Sequence, residues 1–159
     1  YSIPNLLVVI LLMVVMGSGL IPILIALTIM GWINMARIVR GTILQLKTLE
    51  YVVAAQALGA GFSHIIARHL IPNSIGPIII TMTLTIPTAI FIESFLSFLG
   101  LGVQAPIASW GTMASDGLSA MQYYPWRLFF PAAGISSAML AFNVVGDALR
   151  DALDPRLRT

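Results

Sequence analysis

Of 159 residues, 58% are hydrophobic and only 9% are charged, and the mean hydropathy is +0.97. Soluble domains carry about 25% charged residues, so this composition excludes a water-soluble globule and points to a bilayer as the solvent. The net charge of +2 rests on few charges of either sign, which excludes a basic face for nucleic acid, and the absence of cysteine excludes disulfides and thiolate metal sites.

The predicted class is all-α, a polytopic bundle of transmembrane helices. Each span needs roughly 20 apolar residues, so three or four fill the chain. Residues 6–16 are apolar but too short to cross alone. They lack the basic start and small-residue cleavage site of a signal peptide. With Tyr1 rather than Met at the first position, this stretch reads as part of a span in a chain that begins inside a larger protein. Gly17-Ser18-Gly19 and Pro22 then punctuate the sequence, and a second span is predicted over 20–36. The alternative is one kinked helix through these small residues, which also suit close helix packing.

Residues 37–73 form a polar, basic loop holding Arg37, Arg40, Lys47, Glu50, Gln56, His64, Arg68 and His69. A helix is predicted within it, capped by Thr48 or the residues just after and running to Leu58, where Gly59 and Gly61 stop it. Tyr51, Val52, Ala55 and Leu58 share helical spacing, with Gln56 pointing elsewhere. Such a helix suits a groove on a partner or the bilayer surface. Held between two spans, it is a lever that moves both. His64 and His69 are five apart, not at the i,i+4 spacing of helical metal ligands, and are read as polar loop contacts.

Residues 74–101 are the longest apolar stretch, with Pro77 and Pro87 expected to kink it. Glu93 is its one charge. A charge at the bilayer centre costs about 2.5–3.5 kcal/mol. Glu93, with Ser94, therefore lines a translocation path or is held structurally by Ser94, Ser97 or backbone near Gly100-Leu101-Gly102; the structural role is favoured. Residues 104–124 are a mixed segment, in which Trp110 and Gly111 are read as loop packing, lipid contact or part of an outer gate. Tyr123, Tyr124 and Trp126 read as an interfacial aromatic belt, and the last span is predicted over 128–149. Asp147, Arg150, Asp151 and Asp154 follow at helical spacing, where Asp147–Arg150 and Arg150–Asp154 can pair. Basic residues crowd the loop (Arg37, Arg40, Lys47, Arg68) and the tail (Arg150, Arg156, Arg158), whereas 102–126 has none. The positive-inside rule places loop and tail in the cytoplasm.

The stretch from Tyr51 through Val53, Ala54, Ala55, Gln56, Ala57 and Leu58 to Gly59, followed by Arg68-His69-Leu70-Ile71-Pro72-Asn73, resembles the "EAA" loop of bacterial ABC importer permeases. Ala54, Ala55, Gly59 and Pro72 match, Val53 stands where the family often has Glu, and His69 and Ile71 replace Ile and Leu. Residues 93–103, Ser109-Trp110-Gly111, Phe142-Asn143 and 146–156 resemble the oligopeptide and dipeptide branch, which includes nickel and glutathione systems. The resemblance implies the C-terminal part of a type I ABC importer permease fold in a bacterial or archaeal inner membrane. It implies residues 51 and 53–59 as an ATPase-coupling helix. It also implies two ATPase subunits carrying ATP and Mg, a sister permease and an extracytoplasmic solute-binding protein as partners, besides membrane lipid. The tail residues then contact the ATPase, anchor the tail, or simply form a solvated helix end. No catalytic, metal or cofactor site is expected in the chain itself. There is no Gly-x4-Gly-Lys-Ser/Thr loop, and the spans hold one carboxylate away from their ends, Glu93, and no histidine. The competing reading is a channel or scaffold subunit without energy coupling.

Overall fold

The computed structural model describes residues 4–153, and Asp154 and the rest of the tail lie outside the described residues. The described chain is helical: α1 (Asn5–Met16), α2 (Leu20–Leu46), α3 (Glu50–Ala57), α4 (Phe62–Ile65), a π-helical turn (Ile66–Leu70), α5 (Ile71–Phe98), α6 (Trp110–Ser119) and α7 (Trp126–Leu153). The all-α bundle expected from composition is what forms. Three helical stretches are long and apolar enough to cross a membrane: Leu20–Leu46, Phe62–Phe98 and Trp126–Leu153. Within the chain only 11%, 6% and 6% of their most apolar windows is buried, so lipid or other helices must cover the rest.

α1 and α2 are separate helices rather than one kinked helix. Gly17 and Gly19, at φ +89° and +149°, break the ladder in conformations that side-chain-bearing residues avoid. The helices outrun the spans predicted from hydropathy. α2 continues past residue 36 to Leu46, and helix resumes at Phe62, well before residue 74, so most of 37–73 is helical rather than loop. The reason is physical: helix propagation needs only good helix formers such as the Arg, Leu and Gln residues of 37–46, and it does not stop where the lipid does. Pro72 sits in the first turn of α5, where a missing N–H costs little, and Pro77 and Pro87 lie inside α5 without ending it.

α5 ends in a Schellman turn. Leu101 N–H donates to the Leu96 carbonyl and Gly100 N–H to the Ser97 carbonyl, with Gly100 at φ +76°. Beyond it, α6 emerges from the segment read as mixed. Its start is a capping box in which the Ser109 hydroxyl accepts from Thr112 N–H and the Thr112 hydroxyl accepts from Ser109 N–H. α6 buries a face of small residues, Gly111, Ala114 and Gly117. A Cβ on Gly111 would fall on the Ser94 carbonyl of α5, and one on Gly117 would fall on the backbone of Arg127 in α7. Small residues allow this backbone-on-backbone approach. Trp110 lies against Gly134 of α7, with ring atoms 3.1–3.5 Å from where a Cβ would stand.

α7 packs along α5, with Gly146 against Leu84 and Leu153 near Gly76. These contacts sort the ends of the bundle. One end gathers the end of α2, the start of α5 and the end of α7, which together line a cavity of about 730 Å³. The opposite end holds a core of Val9, Met13, Ile23, Ala26, Leu96 and Val103, drawn from α1, the start of α2 and the end of α5 with its following turn.

Candidate coupling site

The lever predicted over residues 51–59 is a two-turn helix, α3, packed beside the end of α2 and the stretch leading into α5. A helix of eight residues has little stability in isolation, so packing must hold it. Val52 supplies that packing: it is fully buried with Ile65 and Leu70, flanked by Ile43, Leu46, Ala60 and Ile66. One side chain thus joins α3 to the end of α2 and to the helical stretch leading into α5. The far end of α3 is fixed by hydrogen bonds. Ala60 N–H donates to the Ala55 carbonyl and Gly59 N–H to the Gln56 carbonyl, a second Schellman turn. Gly59 sits at φ +82°, as the predicted stop requires.

Two details differ from the sequence reading. Of the predicted cap positions, Leu49, just after Thr48, is the one used, without a side-chain bond; the Thr48 hydroxyl instead donates to the Gln45 carbonyl at 2.8 Å, closing α2. The stripe Tyr51, Val52, Ala55, Leu58 does not act as one partner-facing surface. Val52 turns inward, whereas Leu58 is 89% exposed. The outward face is Tyr51, Val53, Ala54, Gln56, Ala57 and Leu58, joined by Phe62 at 79% exposure. Ala55 is half-buried and Gly59 exposed.

His64 and His69 stand in ring contact, with centroids 5.8 Å apart, and Tyr51 packs on His69 at the same distance. In an α-helix, residues five apart point about 140° away from each other. The π-helical turn Ile66–Leu70 widens the helix and closes that angle. The pair therefore links α3 to the root of α5 through ring packing. Among the described residues, no group of three or more His, Asp or Glu stands ready to hold a metal.

At the opposite end, Glu93 is half-buried. Its carboxylate accepts from the Ser97 hydroxyl at 2.8 Å and from the Ser94 hydroxyl at 3.3 Å. Ser97 in turn accepts from the buried Val103 N–H at 3.0 Å. The chain Val103–Ser97–Glu93 ties the Schellman turn back onto α5. Ser97→Ala removes the acceptor of a buried N–H and the nearer donor to a carboxylate. The expected cost is about 1–3 kcal/mol, measurable as a lowered thermal midpoint of the full-length protein. Ser94→Ala, which loses only the longer contact, is expected to shift it less.

Asp147, Arg150 and Asp151 are all exposed at the end of α7. The predicted Asp147–Arg150 ion pair is absent among the described residues, and the Arg150–Asp154 pair lies outside them. An exposed pair gains about 0–1 kcal/mol, too little to hold two mobile side chains together. Arg150 instead lines the 730 Å³ cavity with Thr42, Gln45, Asn73 and Thr81. The sequence reading did not find the inward anchor Val52, the His pair or the Ser109 cap. Of these, only Ser109 had a usable local signal, a hydroxyl residue three before another at the mouth of a helix.

A short helix lies between two membrane-crossing stretches and leaves an apolar face exposed at the bundle end where α2, α5 and α7 line one cavity. The chain belongs to the family of binding-protein-dependent transport system inner membrane components, which it matches over residues 1–159. It is 67% identical to the oligopeptide transport system permease protein OppC of Bacillus subtilis, over 99% of this chain and 52% of that protein. It is 62% identical to the dipeptide transport system permease protein DppC of the same organism and 46% identical to OppC of Escherichia coli, again over 99% of this chain. The chain spans about half the length of these relatives.

Proposed function

We propose that this chain forms the C-terminal half of a permease subunit that imports peptides or similar small solutes by alternating access, driven by separate ATPase subunits. The carrying observation is α3: Val52 locks it to α2 and to the root of α5, while Val53, Ala54, Gln56, Ala57 and Leu58 face outward. On this reading, displacing that face pulls on both membrane helices, which a channel or passive scaffold has no use for. The partners are two ATP-binding subunits carrying ATP and Mg, a sister permease and an extracytoplasmic solute-binding protein. The α3 end and the C-terminus face the cytoplasm, as the basic residues of 37–68 and of the tail favour. The names of the relatives support peptides as the solute class.

Cysteines introduced singly at Gln56 and Ala57 of the full-length protein are expected to crosslink to the ATPase subunit in the assembled complex. A cysteine at Ser109, at the other end, is expected not to. Labelling of the Gln56 or Ala57 cysteine by a membrane-impermeant reagent from outside intact cells overturns the reading.

A further inference from the structure

At the end of the bundle opposite α3, a cleft of about 280 Å³ opens between α6 and α7, lined by Met113, Asp116, Trp126, Arg127, Phe130 and Pro131. It holds one acid and one base. Both side chains are exposed, and among the described residues neither has an ion-pair or hydrogen-bond partner. Yet the backbone beneath them is fixed, because Gly117, next to Asp116, is pressed against the carbonyl of Arg127. Opposite charges on a rigid frame, sharing one cleft without pairing, leave room for a group that carries both complementary charges.

We propose that this cleft binds the headgroup of an amine-bearing zwitterionic phospholipid, with Arg127 on the phosphate and Asp116 on the primary ammonium. The surroundings select a lipid. Trp126 opens the membrane-crossing helix α7 and stacks edge-on with Tyr124 at 5.4 Å, an aromatic pair suited to the headgroup layer. Phe130 and Pro131 lie one turn further into the span, where acyl chains run. Guanidinium matches phosphate through paired N–H donors. The carboxylate of Asp116 takes hydrogen bonds from a primary ammonium that a trimethylated one cannot give, and it repels a purely anionic headgroup. At the edge of a low-dielectric phase each of these contacts is stronger than in water.

The test uses the full-length protein, purified with whatever subunits accompany it, in nanodiscs of equal phosphatidylethanolamine and phosphatidylcholine with matched chains. Native mass spectrometry reads the lipid retained after mild delipidation. The expected result is a preference for phosphatidylethanolamine of about tenfold, the size of one charge-assisted hydrogen bond. Asp116→Asn is expected to bring that ratio to near one while total retention persists, and Asp116→Glu to restore it. Arg127→Gln is expected to lower retention of both lipids. A ratio near one in the unaltered protein, or a preference that survives Asp116→Asn, overturns the proposal. So does displacement of the retained lipid by a saturating short peptide, which would make a solute terminus the occupant. Lipid retention needs no ATP hydrolysis or transport, so this outcome is independent of the coupling reading.

Discussion

Gly111→Ala is expected to deplete the folded full-length protein from the membrane, whereas Gly31→Ala is expected to be tolerated or slightly stabilising. The same methyl group is added in both cases, and both sites are helical. Alanine is favoured over glycine in a helix by about 1 kcal/mol, so helix propensity alone predicts a gain at each. At Gly31 nothing lies within 4 Å of the new Cβ, and the gain stands. At Gly111 the Cβ lands on the Ser94 carbonyl oxygen and 2.8 Å from the Ser97 Cβ, a side chain already held between Glu93 and Val103. Backbone cannot rotate away as a flexible side chain does. Overpacking of this kind costs about 3 kcal/mol, which outweighs the propensity term. Membrane-fraction yield and the thermal midpoint of the purified protein measure the difference.

Val52→Asp and Val53→Asp, neighbours in α3, are expected to fail in different ways. Val52 is fully buried in an apolar cluster, and burying a carboxylate there costs several kcal/mol. The local answer is release of α3 from α2 and the root of α5, while the membrane-crossing helices stay folded. On the proposed coupling role, the expected phenotype is an assembled complex that still hydrolyses ATP but whose hydrolysis no longer responds to solute, with transport near zero. Val53 is 50% exposed, so its substitution leaves α3 in place and acts on the outward face. On that role, the expected phenotype is weaker retention of the ATPase subunit on purification, with an unchanged protease pattern in 46–62. Equal protease sensitivity in the two variants would contradict the inward assignment of Val52.

The parts legible from sequence are those with a strong local cause. Lipid demands a long apolar window, so the membrane-crossing regions stand out. Gly59 was readable as a stop because few other residues accept its backbone conformation. The Glu93 contacts were readable because a lone carboxylate in an apolar run needs donors, and Ser94 and Ser97 lie within a turn of it. The ends of α2 and α5 were not, because hydropathy marks the lipid boundary and helix hydrogen bonding ignores it. α6 was hidden for another reason. Its buried face is Gly111, Ala114 and Gly117, and residues that contribute almost no apolar side chain leave no periodic signal. Within α3, spacing identified an apolar stripe but not which member turns inward; that depends on where Ile43, Ile65 and Leu70 stand, residues brought in by other helices. The π-helical turn has no local signature at all.

The ten residues of α6 are too few to cross a bilayer, and their glycine face fits only a slot made jointly by the end of α5 and the beginning of α7. That slot does not exist until both long neighbours are threaded and lie side by side. α6 therefore has its full seat only once α7 stands beside α5.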